Sequence, residues 1–74
     1  MPEEMAVRVA EAAEVIVNGY ALMKHDLGVR IVNLDTGNVA VFSHSDEMLE
    51  TSMSEIELAI ALKYLKANRQ YMGQ

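Results

Sequence analysis

The stretch of residues 20–43 constrains the fold most, because it indicates consecutive β-strands joined by short turns. Residues 29–34 and 39–42 are rich in β-branched and aromatic side chains, which favour a pleated, half-buried surface. Between them, residues 35–38 (DTGN) combine an Asp with a Gly, the chemistry of a short hairpin loop. Residues 26–28 (DLG) provide a similar turn one strand earlier. The stretch therefore predicts a three-stranded antiparallel meander.

Both faces of this predicted meander carry apolar residues. Counting back from the two turns gives a register that is defined to within one residue. It places Met23, Ile31 and Phe42 on one face and Leu22, Val32 and Val41 on the other. An antiparallel sheet with one face in water would alternate apolar with polar residues. We therefore expect both faces to be covered.

The length of 74 residues predicts one small α+β domain, residues 1–74, near the lower limit for a core that is stable alone. The chain has no cysteine, which excludes a disulfide and a thiolate metal site. Its net charge of −5, with six scattered Lys and Arg residues, argues against direct binding to nucleic acid or to an anionic membrane. No apolar run approaches the ~20 residues that cross a bilayer, and residues 2–4 (PEE) do not resemble a signal peptide. We expect a cytoplasmic protein.

The N-terminal part predicts a helix from Glu3 to about Ala13. Its apolar residues recur at spacings of three and four, which places them on one face. They are Met5, Val9, Ala12, Ala13 and Ile16. The run Val15–Val17 permits two interpretations, a last helical turn or a first strand. Three consecutive β-branched residues disfavour helix and Asn18-Gly19 fits a hairpin turn, but Gly19 also fits a helix C-cap.

A second helix is predicted near the C-terminus. Ser54 and Glu57 form a capping box, residues 52–55 offer an equivalent box two positions earlier, and the helix runs to about Gln70. Residues 48–51, just before it, are a candidate fourth strand at the sheet edge. Together the elements predict an α+β fold with an N-terminal helix, a three- to four-stranded antiparallel β-meander, and a C-terminal helix packed on the sheet.

The C-terminal helix carries more apolar surface than one contact with a sheet uses. Its apolar residues form two stripes, one of Ile56, Ile60, Tyr64, Ala67 and Tyr71 and one of Leu58, Leu62, Leu65 and Met72. With Ala61 they span roughly 240° of the helix, whereas a helix on one sheet face needs an apolar arc of about 100° or slightly more. We expect the surplus to be buried in a homodimer. The predicted interface residues are Leu58, Leu62, Leu65, Tyr64 and Met72.

Two segments carry a resemblance to known sequences. They are VNGYALMKHDLGVRIVNLDTGNVAVF, residues 17–42, and ETSMSEIELAIALKYLKANRQYM, residues 50–72. Both resemble short uncharacterised proteins of gut Firmicutes, some of them carried on mobile elements. Those proteins have no assigned activity, so the resemblance implies only a bacterial, accessory, cytoplasmic protein.

Five acidic residues fall within one short segment that contains no Lys or Arg. They are Asp46, Glu47, Glu50, Glu55 and Glu57. Turn formation and placement near a helix N-terminus explain most such clusters. The functional interpretation is an acidic patch that docks on a basic protein, for example in the groove of a nucleic-acid-binding protein. Electrostatic steering would make that binding fast and sensitive to salt.

The two histidines are the remaining candidates for chemistry. The predicted register places His25 and His44 on either side of Val29, about 10 Å apart, whereas zinc–nitrogen bonds are about 2 Å long. No serine lies in a nucleophile-elbow motif, and no Gly-rich loop precedes a helix. We therefore predict no catalytic residue, no metal ligand and no cofactor.

The surfaces lead to three functional hypotheses. The first is a small non-enzymatic protein–protein interaction module that self-associates through the C-terminal helix and the sheet. The alternative is an acidic inhibitor or nucleic-acid mimic that docks on a basic protein surface. The third is an enzyme or small-ligand binder, for which so short a chain leaves little volume beside its core.

Overall fold

Two helices lie on opposite faces of an antiparallel sheet in the computed structural model, which describes residues 2–72. The elements in chain order are α1 (Glu3–Ala12), β1 (Val15–Val17), β2 (Tyr20–His25), β3 (Gly28–Asn33), β4 (Val39–Ser43), β5 (Met48–Thr51) and α2 (Glu55–Asn68), and a 3₁₀ helix (Arg69–Met72) extends α2. The predicted α+β fold is confirmed, with five strands in that range instead of three or four. The sheet order β1-β2-β3-β4-β5 is a simple meander.

The run that the sequence left open between helix and strand forms β1, an edge strand. Val15–Val17 pairs with β2, and Ile16 lies opposite Ala21. The connecting turn places Asn18 at φ 46° and Gly19 at φ 81°, in the left-handed region that these residue types tolerate best. Turn chemistry and β-branching together therefore favour the strand.

The candidate strand at the other edge is also confirmed, as β5. Glu50 lies opposite Val41 and Met48 opposite Phe42, which leaves Leu49 as the extra residue of a β-bulge. Bulges increase the twist of an edge strand and make it a poorer template for pairing with another chain.

The predicted register is wrong by one residue at the turn between β2 and β3. Only Asp26 and Leu27 form that turn, and Gly28 belongs to β3, where it pairs with His25. Gly28 has a φ of +154°, and a Cβ at this position would overlap the carbonyl oxygen of Phe42 in β4. The three-residue turn assumed from the sequence is therefore one residue too long.

The shorter turn reverses which side chains of β2 point to each face of the sheet. Leu22 pairs with Ile31 and shares its face, whereas Met23 pairs with Arg30 on the other face. The rest of the predicted alternation is confirmed, since Ile31 shares a face with Phe42, and Val32 with Val41. Side chains alternate along a strand, so an error of one residue assigns a whole strand to the wrong faces.

The face under α2 holds most of the buried residues, and we call this group the α2-side core. Its members are Tyr20, Leu22, Val29, Ile31, Ala40, Phe42, Met53, Ala61, Leu65 and Met72. Ala61 and Leu65 come from α2, and Met72 comes from the 3₁₀ helix. The small side chain of Ala61 allows α2 to approach the sheet closely, so the larger residues beside it also pack inward.

The opposite face holds a smaller group, the α1-side core. Its buried members are Ala21, Met23 and Val32, with Val9, Ala13, Leu34 and Val39 packed against them in part. No residue of α1 is itself buried. Both faces are covered, as expected, but α1 covers its face only thinly.

The two helices also differ in how they begin. The predicted capping box of α2 is confirmed, because the Ser54 hydroxyl accepts from the Glu57 N–H at 3.2 Å and the Glu57 carboxylate accepts from the Ser54 N–H at 3.1 Å. The N-cap of α1 is Pro2, which forms no side-chain cap. Local hydrogen bonding therefore supports the start of α2 and not that of α1.

Candidate functional site

A groove lies between α1 and the sheet. It has a volume of about 360 Å³ and is lined by Met5, Arg8, Val9, Ala12, Met23, Arg30, Val32, Gly37 and Val39. Val9 of α1 and Ala13, which follows the helix, pack on the sheet. Both side chains are small and do not fill the space above β3 and β4. The walls of the groove are apolar except for its two arginines.

Both arginine side chains are available for a partner. Arg8 projects from α1 and Arg30 from the middle of β3, and both residues are exposed. Neither forms an ion pair with a residue in the range 2–72. The groove thus combines apolar walls with local positive charge, in a chain whose net charge is −5.

Arg30 belongs to a row of residues that crosses the sheet on the α1 side. Successive strands place Met23 opposite Arg30, Arg30 opposite Val41, and Val41 opposite Glu50. Val41 is 5% exposed, whereas Arg30 and Glu50 are exposed. Because neighbouring strands lie about 4.8 Å apart, the row holds a cation and an anion at equal distances on either side of one valine.

Large apolar side chains remain exposed on the α1 side. Met5, which lines the groove, is 55% exposed. Ile16 on β1 is 50% exposed and shares a face with Ala21. Ile16 extends the apolar surface of this side toward the β1 edge.

The outer face of α2 is less continuous. Ile56 and Tyr71 are exposed there, but they lie about 20 Å apart along the helix axis. Exposed Lys63 and Lys66 lie between them. The two large side chains therefore do not form one patch.

The predicted interface residues do not lie on this outer face. Leu58, Leu62, Leu65, Tyr64 and Met72 all belong to the α2-side core or pack against it. The prediction that their stripe is uncovered is wrong, most clearly for Leu65 and Met72, which are fully buried. The sequence analysis weighed large side chains, whereas the buried face of α2 is centred near the small residue Ala61.

Tyr64 also has polar and aromatic partners within the chain. Its ring lies edge-on to that of Tyr20, with centroids 5.6 Å apart and planes at 71°. Its hydroxyl accepts a hydrogen bond from Asn18 Nδ2 at 3.0 Å. Tyr64 therefore joins α2 to the β1–β2 turn.

Glu57 is the centre of a polar network that ties the β3–β4 loop to the start of α2. Besides the Ser54 N–H, its carboxylate accepts hydrogen bonds from Asn33 Nδ2 (2.9 Å), Asn38 Nδ2 (3.1 Å) and the Thr36 hydroxyl (3.0 Å). These donors, the Ser54 N–H foremost, lower the pKa of Glu57 from 4.5 to about 2. The carboxylate is thus held ionised as a structural clamp.

Tyr20 connects this network to the α2-side core. Asn33 Nδ2 lies 3.4 Å from the Tyr20 hydroxyl. Burial raises the pKa of Tyr20, and the negative charge of Glu57 raises it further. Every buried side-chain N or O atom among residues 2–72 has a hydrogen-bond partner. The buried atoms of the network are therefore all satisfied within this part of the chain.

The predicted acidic patch is divided between the two ends of the sheet. Asp46 pairs with Arg69 where the C-terminal extension of α2 begins, and Glu57 belongs to the network at the start of α2. The length of β5, about 13 Å, separates these ends. The members that remain exposed are Glu47, Glu50 and Glu55.

The two histidines are not beside Val29, as the longer turn predicted. By strand alternation His25 shares a face with Met23, opposite to Val29, and its Nδ1 accepts from the Leu27 N–H at 3.1 Å. His44 lies exposed in the turn between β4 and β5. The described part of the chain holds no group of three or more His, Cys, Asp or Glu side chains that could bind a metal ion.

The sequence analysis missed the groove and most of the Glu57 network. A signal for the groove existed, because Arg30 is a charged residue between apolar neighbours in the middle of β3. The network had no comparable signal, since Glu57 accepts from side chains that lie 19 to 24 positions away in the chain. Only the capping box between Glu57 and Ser54 could be predicted from a local sequence pattern.

Comparison with known proteins adds one finding about relationship. A family model described as Family of unknown function (DUF7723) matches residues 3–72, nearly the whole chain. Searches of the curated proteins and of the solved structures found no match. Between residues 2 and 72, no helix is long and apolar enough to cross a membrane.

Proposed function

The chain belongs to the DUF7723 family of unknown function, and from its surfaces we propose that it is a small non-enzymatic protein–protein interaction module. We infer that it self-associates, and that the homodimer forms through the α1 side of the sheet instead of through α2. The observation that carries this proposal is the thin cover on that side. No residue of α1 is buried, and the groove beside the helix has a volume of about 360 Å³.

Two exposed apolar side chains support the same surface. Met5 lines the groove, and Ile16 lies on the α1 side of β1. Contiguous apolar surface is uncommon on soluble monomers and marks interaction sites. Burying it in a second copy would also stabilise a chain that is short for an independent core.

Sedimentation across micromolar to millimolar concentrations tests this proposal. We expect a dimer for the wild type, and a weaker dimer for Ile16→Lys, which places a charge on the α1 side. Ile56→Lys is the matched control, because Ile56 is an equally large exposed side chain on the outer face of α2. A wild type that stays monomeric would contradict the proposal, as would a dimer that is weakened by Ile56→Lys and not by Ile16→Lys.

The acidic-inhibitor alternative keeps some support, since Glu47, Glu50 and Glu55 are exposed. Two of the five acidic residues predicted for this patch, Asp46 and Glu57, are instead engaged within the chain, which weakens the support for the alternative. A pull-down from host lysate tests it with Glu47→Lys/Glu50→Lys, which should lose the basic partners that the wild type retains. An empty pull-down with the wild type would count against the alternative.

We also propose a cytoplasmic, accessory protein of bacteria, in some cases encoded on mobile elements. The resemblance of residues 17–42 and 50–72 supports this origin. The absence of cysteine fits a protein that does not use disulfides. The excess of acidic residues makes a protein partner more favourable than nucleic acid or a membrane. Cell fractionation and the genes beside the coding sequence would test the location and origin.

A further inference from the structure

The row of Met23, Arg30, Val41 and Glu50 across the α1 side indicates how two copies pair. We propose that the two copies stack their α1-side sheet faces about a two-fold axis that runs parallel to β4, above Val41. Arg30 of each copy then lies against the partner's Glu50. This inference rests on the proposed self-association and names the contact that would specify it.

The symmetry follows from the register. Arg30 and Glu50 lie one strand to either side of Val41, each about 4.8 Å away. A two-fold axis along β4, midway between the stacked sheets, exchanges the two sides, so each cation meets an anion. The axis passes above Val41, which is itself only 5% exposed, so the charged side chains on either side of it make the contact. The row is therefore complementary to itself, as a closed two-fold interface requires.

Charge also selects this axis over the other in-plane choice. A two-fold axis perpendicular to the strands would place Arg30 against the partner's Arg30, and Glu50 against the partner's Glu50. Like charges brought together in an interface are strongly unfavourable. Both axes keep the strands of the two sheets nearly aligned, the common arrangement of stacked sheets, so the charges alone decide between them.

The same arrangement brings the partner's Glu50 to the groove. The rotation places the partner's β5 on the β3 side of the interface. The partner's Glu50 then approaches Arg8, which lines the groove together with Arg30.

Charge reversal tests the pairing, with dissociation constants measured by sedimentation and folding checked by circular dichroism and urea unfolding. Arg30→Glu and Glu50→Arg should each weaken the dimer by at least about 10-fold, because each places like charges together. An equimolar mixture of the two variants should form a heterodimer about as tightly as the wild type forms its homodimer. One variant then supplies carboxylates at both positions of the contact, and the other supplies guanidinium groups at both.

Controls on the other side of the molecule separate this contact from general charge effects. Lys63→Glu and Glu55→Arg reverse the same types of charge at exposed positions on α2, and we expect no change in association. A monomeric wild type would overturn the self-association itself. A wild-type dimer that tolerates both single reversals, or single variants that weaken it without forming a heterodimer when mixed, would overturn only the pairing proposed here. A variant that fails to fold is replaced by Arg30→Gln or Glu50→Gln, each of which should weaken the dimer less than the reversal does.

Discussion

The two faces of the sheet share one set of strands but are covered to different extents. Among residues 2–72, the α2-side core contains ten buried residues, three of which come from α2 and its 3₁₀ extension. In the same range the α1-side core contains three buried residues and Val41 is also buried on that face, but none of these four comes from α1. One face is therefore closed by the chain itself, whereas the other retains apolar and charged surface. In this fold, most of the buried core lies on one face, and the interaction surface that we propose lies on the other.

The attachment of the two helices follows the same division. The capping box and the Glu57 network fix the start of α2, and Met72 is fully buried in the extension that follows its end. Among the described residues, the start of α1 has no side-chain cap. A helix held by few contacts opens at a lower free energy than the rest of the structure. We expect α1 to exchange its amide hydrogens before α2 does.

Removing each helix in turn should give the largest difference in stability between the two faces. A chain that ends at Ser54 loses Ala61, Leu65 and Met72 and exposes the sheet side of the α2-side core, so we expect no cooperative unfolding transition. A chain that begins at Ala13 loses no buried residue directly, so we expect it to remain folded with a lower urea midpoint. Circular dichroism during urea unfolding measures both. If the chain without α1 fails to fold and the chain without α2 folds, the assignment of stability to the two faces is reversed.

Two neighbouring residues on β3 compare the faces within one strand. Ile31→Ala empties space in the α2-side core, where Ile31 is fully buried, and should lower the free energy of unfolding by about 2–4 kcal/mol. Val32→Ala acts on the α1-side core and should lower it by about 1 kcal/mol, because fewer atoms are removed and α1 can settle into the space. Urea unfolding gives both values. Equal losses would contradict the difference in packing.

The Glu57 clamp should give a smaller effect that depends on pH. The pKa of Glu57 is about 2 in the fold against 4.5 ordinarily, so its contribution is fully present above pH 4.5 and is lost as the pH falls from 4.5 toward 2. Glu57→Gln should therefore reduce the acid dependence of the unfolding free energy in that range. Glu55→Gln is the control, since its side chain is exposed and lies outside the network. Parallel pH curves for wild type and Glu57→Gln would contradict the clamp.

Local patterns predicted the elements well because local chemistry determines them. The Asn18-Gly19 turn, the Ser54–Glu57 box and the edge strand β5 all arise from residues that are close in sequence. The register of β2 was wrong because turn length depends on Gly28, whose close approach to Phe42 is a tertiary contact.

The candidate site was harder to predict from the sequence, because it too depends on tertiary contacts. Which stripe of α2 faces the sheet depends on how closely Ala61 can approach it, and helical periodicity does not contain that information. Likewise, Arg30 and Glu50 are twenty positions apart in the chain, and only the pairing of three strands aligns them in one row. Periodicity predicted that surplus apolar surface exists, but it placed that surface on α2.

The meander order has a consequence for the speed and sequence of folding. Each strand pairs with its neighbour in the chain, so every pairing closes only a short loop at a small cost in chain entropy. Proteins rich in such short-range contacts fold faster than those that must join distant segments. Because α2 follows β5 directly, it can dock once a few hairpins exist, and the face it closes is complete before any second chain is needed. The nascent protein can thus bury its most apolar surface by an intramolecular step, before the concentration-dependent association that we propose for the α1 side.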